Sequence, residues 1–407
     1  MIAAVSDLRA LVRRPYALRM LACALVARLP EAMVPLALLL LVRHEGGSYA
    51  TAGAVAGAFA IGAAVGGPLF GRTIDRLGQT RVLVLVAGTR SVALAAIVLV
   101  APSSLPAAGV LCVAAGALTP PLEPALRALW PDLAGDDEHA LAAAYELDAG
   151  AQELIFVVGP LLVALGVAVA SPAVALDLAS AIGLLGTIAF ALSPPARAWR
   201  AAAHDHGPAH WTAAVRAPEV ALLLAVGLLA GATTGVVNVT ATAFAEHTLG
   251  DRDLAGWLLA AWAVGALAGG LAAAARRWRT APERRLTRLL VGFGIAFVPA
   301  LLARATGTMA LALAVSGAFL APTLAAIFVL TGSRARPGTI TETFAWLTSS
   351  FLVGSAAGAA AGGTLTGSGS GVQGFALAGA IALAAAALWQ TRRVRPASAR
   401  SVDPLEG

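Results

Sequence analysis

Arg28, Pro30 and Glu31 lie inside one apolar stretch, CALVARLPEAMVPLALLLLV, residues 23–42. A cation, a residue with no backbone N–H and an acid thus sit at the centre of a run long enough to cross a bilayer. An ionised side chain there is costly and persists where it faces a cavity or an opposite charge. Arg28 and Glu31 are three residues apart and can pair on neighbouring faces of one helix. Pro30 removes a donor and loosens the helix, as suits a span that bends or lines water. Two chemistries fit. Glu31 can take up and release a proton, because desolvation favours the neutral acid and Arg28 favours the carboxylate. Equally, the pair can be structural and lock its helix to its neighbours.

Other polar residues in apolar surroundings invite the same question. Glu123 is flanked by Pro121 and Pro124, so broken backbone beside a cavity is expected there. Glu146 and Glu153 are seven apart and share a helix face, while Asp148 points elsewhere. Glu153 is the deeper and is a second proton candidate; Glu146 and Asp148 are expected in a charge cluster at the inner helix ends. Arg90 either partners one of these acids or snorkels. In the second half of the chain, Thr234, Asn238 and Thr242 are spaced by four and form a polar stripe. Trp262 and Trp346 are placed to stack a bound molecule, although such tryptophans more often pack or sit at the interface. Ionisable groups in one half and apolar or aromatic surface in the other suit a small amphipathic organic compound better than a sugar. All six histidines fall in loops or at span ends, and Cys23 and Cys112 lie in apolar runs. Neither set makes a metal site or a disulfide framework, and no cofactor is expected.

The elements that must hold these groups follow from composition. The 407 residues are 59% hydrophobic and 12% charged, whereas a soluble domain carries about twice that charge fraction. The solvent for most of the chain is lipid. At about 20 helical residues per crossing, twelve spans are predicted: 17–42, 49–71, 82–101, 106–129, 142–168, 172–193, 219–246, 253–275, 287–304, 308–332, 341–366 and 373–391. The fold class is therefore an all-α polytopic membrane protein. The polar break 194–218 makes a linker between a half at 1–193 and a half at 219–391, with a tail at 392–407. The histidines of that linker, His204, His206 and His210, read as solvated rather than as metal ligands. Every basic residue is arginine, and 23 of the 28 fall on one side of the twelve-span layout. The positive-inside rule then puts both termini in the cytoplasm of a multi-pass cell-membrane (plasma or inner membrane) protein. The arginines form no patch with interleaved aromatics, so nucleic acid is not an expected partner.

Span two ends in GRTIDRLGQTRVL, residues 71–83. Gly71, Asp75, Arg76, Gly78 and Arg81 fit a Gly-x-x-x-Asp-Arg-x-Gly-x-x-Arg pattern and resemble the loop between helices two and three of the major facilitator superfamily. Gln79 and Thr80 stand where that pattern usually has basic residues. Gly159-Pro160 resembles the fifth-helix signature of proton-coupled drug antiporters, without its further glycines. The resemblance implies two six-helix halves and alternating access. It also implies a cytoplasmic gate in which Asp75 pairs with Arg127 and faces the start of span eleven near Gly338-Thr339. The expected function is proton-coupled export of a small organic compound, with proton coupling at Glu31, Glu153, Glu123 and Arg28. The alternatives are a proton-coupled importer of a small metabolite and a sensor that does not transport. An enzyme is not expected, since no histidine lies deep in a span. A nucleotide-driven pump is excluded because no G-x-x-x-x-G-K-[ST] loop occurs. The partners are then a small-molecule substrate, protons and the lipid bilayer.

Overall fold

The computed structural model describes residues 14–201, 217–251, 254–276, 280–366 and 372–393. Among these, twelve helices are long and apolar enough to cross a membrane. Spans one to six are Ala17–His44, Thr51–Leu77, Gln79–Val100, Leu105–Ala134, Glu138–Val169 and Pro172–Ala191. Spans seven to twelve are Pro218–His247, Leu254–Ala274, Pro282–Leu302, Thr306–Arg334, Ile340–Leu365 and Val372–Thr391. Helices are the expected solution, because in hydrocarbon every backbone N–H and C=O must be satisfied within its own segment.

Glycine lets the spans approach to backbone contact. A Cβ at Gly66 of span two would fall on the carbonyl of Ala117 in span four, and one at Gly269 of span eight on that of Ala318 in span ten. The same seam is thus built in both halves. Gly354 and Gly358 of span eleven press likewise on Leu228 and Ala232 of span seven. Gly53 and Gly57 share that four-residue spacing but have open space where a side chain would stand. Spacing alone did not separate the packed pairs from the open one.

Several spans are broken, and unevenly. Span one divides at Leu29, span four between Ala117 and Leu122, and span five at Gln152. In the second half the breaks fall in spans nine and ten, at Ala296–Phe297 and Ala318–Phe319. The break in span one has a clear cause. Pro30 offers no N–H to the carbonyl of Val26, which accepts from Leu29 instead at 3.2 Å. The freed segment rests on span six, where a Cβ at Gly183 would come within 2.8 Å of the Pro30 ring.

Part of the expected linker is structured. Pro194–Ala198 forms a short helix, and the indole of the buried Trp199 donates to the Ala128 carbonyl at 3.3 Å. His204, His206 and His210 lie outside the described residues.

Candidate functional site

The three breaks in the first half each restart a helix on an acid. Glu31 stands in the first turn of Pro30–His44, Glu123 in that of Leu122–Ala134 and Glu153 in that of Glu153–Val169. A helix N-terminus carries partial positive charge and unpaired N–H groups, so it favours a carboxylate. The prolines at 30, 120 and 121 are the sequence signal for two of these sites; the break before Glu153 has none.

Two buried arginines gather the acids. Arg28 Nε donates to Glu31 Oε1 at 3.3 Å, while its other nitrogens lie 3.2 Å from Glu123 and 3.7 Å from Asp148. Arg127 pairs with Glu123 one turn earlier and donates to Asp148 Oδ2 at 3.0 Å. Three carboxylates therefore share two guanidiniums. The side chains of Arg28 and Asp148 are fully buried, and Arg127 is nearly so, whereas Glu31 is 29% exposed. Such a cluster persists in low dielectric because each charge is paired. Removing one partner leaves another charge stranded.

Asp148 thus belongs to the intramembrane cluster and not to the charged helix ends, because the break at Gln152 and its place on span five turn it towards both arginines. Glu153 stays outside the cluster, half-buried and with no ion pair among the described residues. Arg90 is 5% exposed, so it does not snorkel; its guanidinium lies 5.7 Å from the ring centroid of Phe59.

The expected Asp75–Arg127 pair does not form. Arg127 is held by Glu123 and Asp148, and Asp75 instead caps span eleven. Its two carboxylate oxygens accept from the backbone N–H groups of Thr341 and Glu342 at 3.1 and 2.9 Å. The second expected partner of Asp75, the helix start near Gly338-Thr339, is the one it meets. Gly71 makes this approach possible, since a Cβ there would lie 3.0 Å from the Thr341 carbonyl. Gly78, at φ +85°, ends span two in a conformation that disfavours other residues. Arg76 and Arg81 are exposed. Gln79 and Thr80 act by hydrogen bonding: Gln79 donates to the Ala125 carbonyl at 2.9 Å and Thr80 to that of Ala191 at 2.8 Å. They fasten the start of span three to spans four and six.

Further links join the halves on this arginine-rich side. Glu146 of span five pairs with Arg285 of span nine, both buried. Ser349 of span eleven donates to the Ala64 carbonyl at 2.8 Å. Tyr145, Phe328 and Phe344 form an aromatic trio with centroids 6.1 to 6.5 Å apart. The Tyr145 hydroxyl also donates to the Arg127 carbonyl at 3.2 Å. Glu146 stands out in the sequence but its partner does not, because a pair 139 positions apart leaves no local trace.

The second-half residues divide. Thr234 and Thr242 are half-buried and donate back to their own helix; Asn238 is exposed. Trp346 is half-buried. Trp262 is 4% exposed and packed against Gly317 of span ten, so it is a packing residue and not part of an open surface. No group of His, Cys, Asp and Glu among the described residues is arranged to hold a metal ion.

The sequence matches the Major Facilitator Superfamily over residues 20–306. A bacterial homologue of the iron transporter ferroportin, in an outward-facing state, superposes with a TM-score of 0.75 at 15% identity, covering 93% of this chain and 99% of that one. The human organic anion transporter MFSD10 does so at 0.67 and 19%, covering 92% and 100%. The E. coli fucose:proton symporter gives 0.65 and 16%, covering 92% and 98%. No curated protein matches the sequence. The chain belongs to the major facilitator superfamily. Its family and fold are those of a membrane transporter rather than an enzyme.

Proposed function

We propose that the protein is a proton-coupled secondary transporter that exports a small amphipathic organic compound by alternating access. In this reading the arginine-rich ends and both termini face the cytoplasm, and the cell membrane supplies the proton gradient. Asp75, capping span eleven, is the cytoplasmic gate. The observation that carries the reading is the imbalance at the centre of the first half: three acids share two arginines, and Glu31 is the most exposed of the three. Glu31 meets one arginine where Glu123 and Asp148 each meet two, and the acid with the fewest partners and a path to water exchanges a proton most cheaply. Thr234, Asn238, Thr242 and Trp346 supply the polar and aromatic surface for the substrate.

A second reading, proton-coupled import, is favoured by Arg90. Counting it, three arginines balance Glu31, Glu123 and Asp148, so an empty site is neutral and can reorient unloaded, as symport requires.

A susceptibility screen in an efflux-deficient bacterium separates the two. Export protects cells carrying the wild type against at least one toxic compound, and Glu31→Gln at equal expression does not. Wild type that protects against nothing, but accumulates a metabolite in a proton-dependent way, selects import.

A further inference from the structure

Span nine carries a stripe that the transport reading does not use. Arg284, Arg288, Val291 and Ile295 recur at intervals of four, three and four, one face of a helix, and Val298 follows past the break. From Arg288 onwards they line an open groove of about 700 Å³ whose other wall is Val315 and Phe319 of span ten. The groove exists because span nine breaks at Ala296–Phe297, and because Gly292 leaves room for the Phe319 ring. Its apolar wall is accessible: Ile295, Val298 and Val315 are 55%, 52% and 43% exposed. Arg284 and Arg288 are exposed and have no ion-pair partner among the described residues, whereas Arg285 between them turns inward to Glu146.

We propose that this groove binds one anionic phospholipid, with its phosphate on Arg284 and Arg288 and an acyl chain along Val291, Ile295 and Val298 against Phe319. Charge selects the headgroup. Guanidinium groups bind phosphate in paired hydrogen bonds, and two arginines favour a headgroup of net negative charge over a zwitterionic one, whose own ammonium they repel. Length selects a lipid over a free phosphate. The seven steps from Arg288 to Ile295 rise about 10 Å at 1.5 Å per residue, and Val298 beyond the break carries the wall further into a leaflet about 15 Å deep. Basic pockets between spans recognise anionic headgroups in this manner. The site is independent of proton coupling.

The test is native mass spectrometry of the full chain in mild detergent, titrated with phosphatidylglycerol or with phosphatidylcholine of the same acyl chains. Wild type retains phosphatidylglycerol at least about tenfold better, the direction and size expected of two basic residues near an anionic headgroup. Arg284→Gln with Arg288→Gln abolishes that preference, Arg81→Gln on the other half keeps it, and Val291→Trp lowers retention of both lipids. Equal retention of the two lipids by wild type overturns the proposal. So does a preference that survives the double arginine variant, or lipid retention unaffected by Val291→Trp.

Discussion

The guanidinium of Arg127 lies over the ring of Phe328, 3.4 Å from its centroid. Arg127 belongs to the ionic cluster of the first half and Phe328 to span ten of the second. Phe328 in turn meets Phe344, in the first turns of span eleven, whose N-terminus Asp75 caps. The ionic cluster of Glu31, Glu123 and Asp148 is thus joined to the arginine-rich end of the second half through a cation–π contact.

Replacing Phe328 by Leu keeps the apolar contact but removes the ring. A desolvated cation–π contact contributes about 2 kcal/mol, so the ratio of closed to open forms should fall roughly 30-fold. Phe328→Trp should preserve it. Spin-label distances between Leu77 and Arg336, both exposed at the arginine-rich end, report the ratio; distributions alike in the Leu and Trp variants would remove Phe328 from the coupling.

Asp75→Asn keeps one acceptor for Thr341 or Glu342 but loses the charge at the start of span eleven. Charge-assisted hydrogen bonds of this kind contribute about 1.5–3 kcal/mol. The same distances should lengthen, and cross-linking of cysteines placed at Leu77 and Arg336 should slow. Cross-linking at the wild-type rate would mean that Asp75 does not hold this end shut.

Gly66 and Gly57 make a paired test of the seam. A side chain at Gly66 meets the Ala117 carbonyl, and one at Gly57 meets nothing. Gly66→Val should cost about 1–3 kcal/mol by overpacking and lower the unfolding temperature in detergent. Gly57→Ala should leave it within error. Equal effects would show that the seam does not hold spans two and four together.

Arg28→Met leaves Glu31, Glu123 and Asp148 with Arg127 as the cluster's one arginine and strands the excess negative charge, at a cost of about 3–5 kcal/mol. Arg28→Met with Glu123→Gln should recover part of that loss, because one of the stranded charges goes with it. Thermal unfolding of the single and double variants measures the difference. A double variant less stable than Arg28→Met would place Glu123 outside the cluster's charge balance.

How much of this could be read in the sequence depended on range. Twelve spans were legible because lipid imposes a length and a composition on each one. Glu31 stood out because Pro30 loosens the backbone beside it, and Glu123 because Pro121 and Pro124 flank it. Asp75 was visible through its loop, and its helix-end partner through charge. Its expected pairing with Arg127 failed, since Glu123 lies one turn from Arg127 and Asp148 faces it from span five. Asp148, Arg285 and Phe328 were missed as site residues for one reason: each acts across helices, and helical periodicity records a face without recording what it meets. Gln79 and Thr80 read as departures from a basic pattern, and only the packed carbonyls of Ala125 and Ala191 give them a role.

In the proposed cycle, proton exchange at Glu31 shifts the arginine-rich end between closed and open. The most direct measurement is the Leu77–Arg336 spin-label distance across a pH titration, in wild type and in Glu31→Gln, in the same lipid. The distribution should shift with pH in wild type and hold a single, pH-independent position in the variant. A wild-type distribution that does not respond to pH, or a variant that titrates as wild type does, would contradict it.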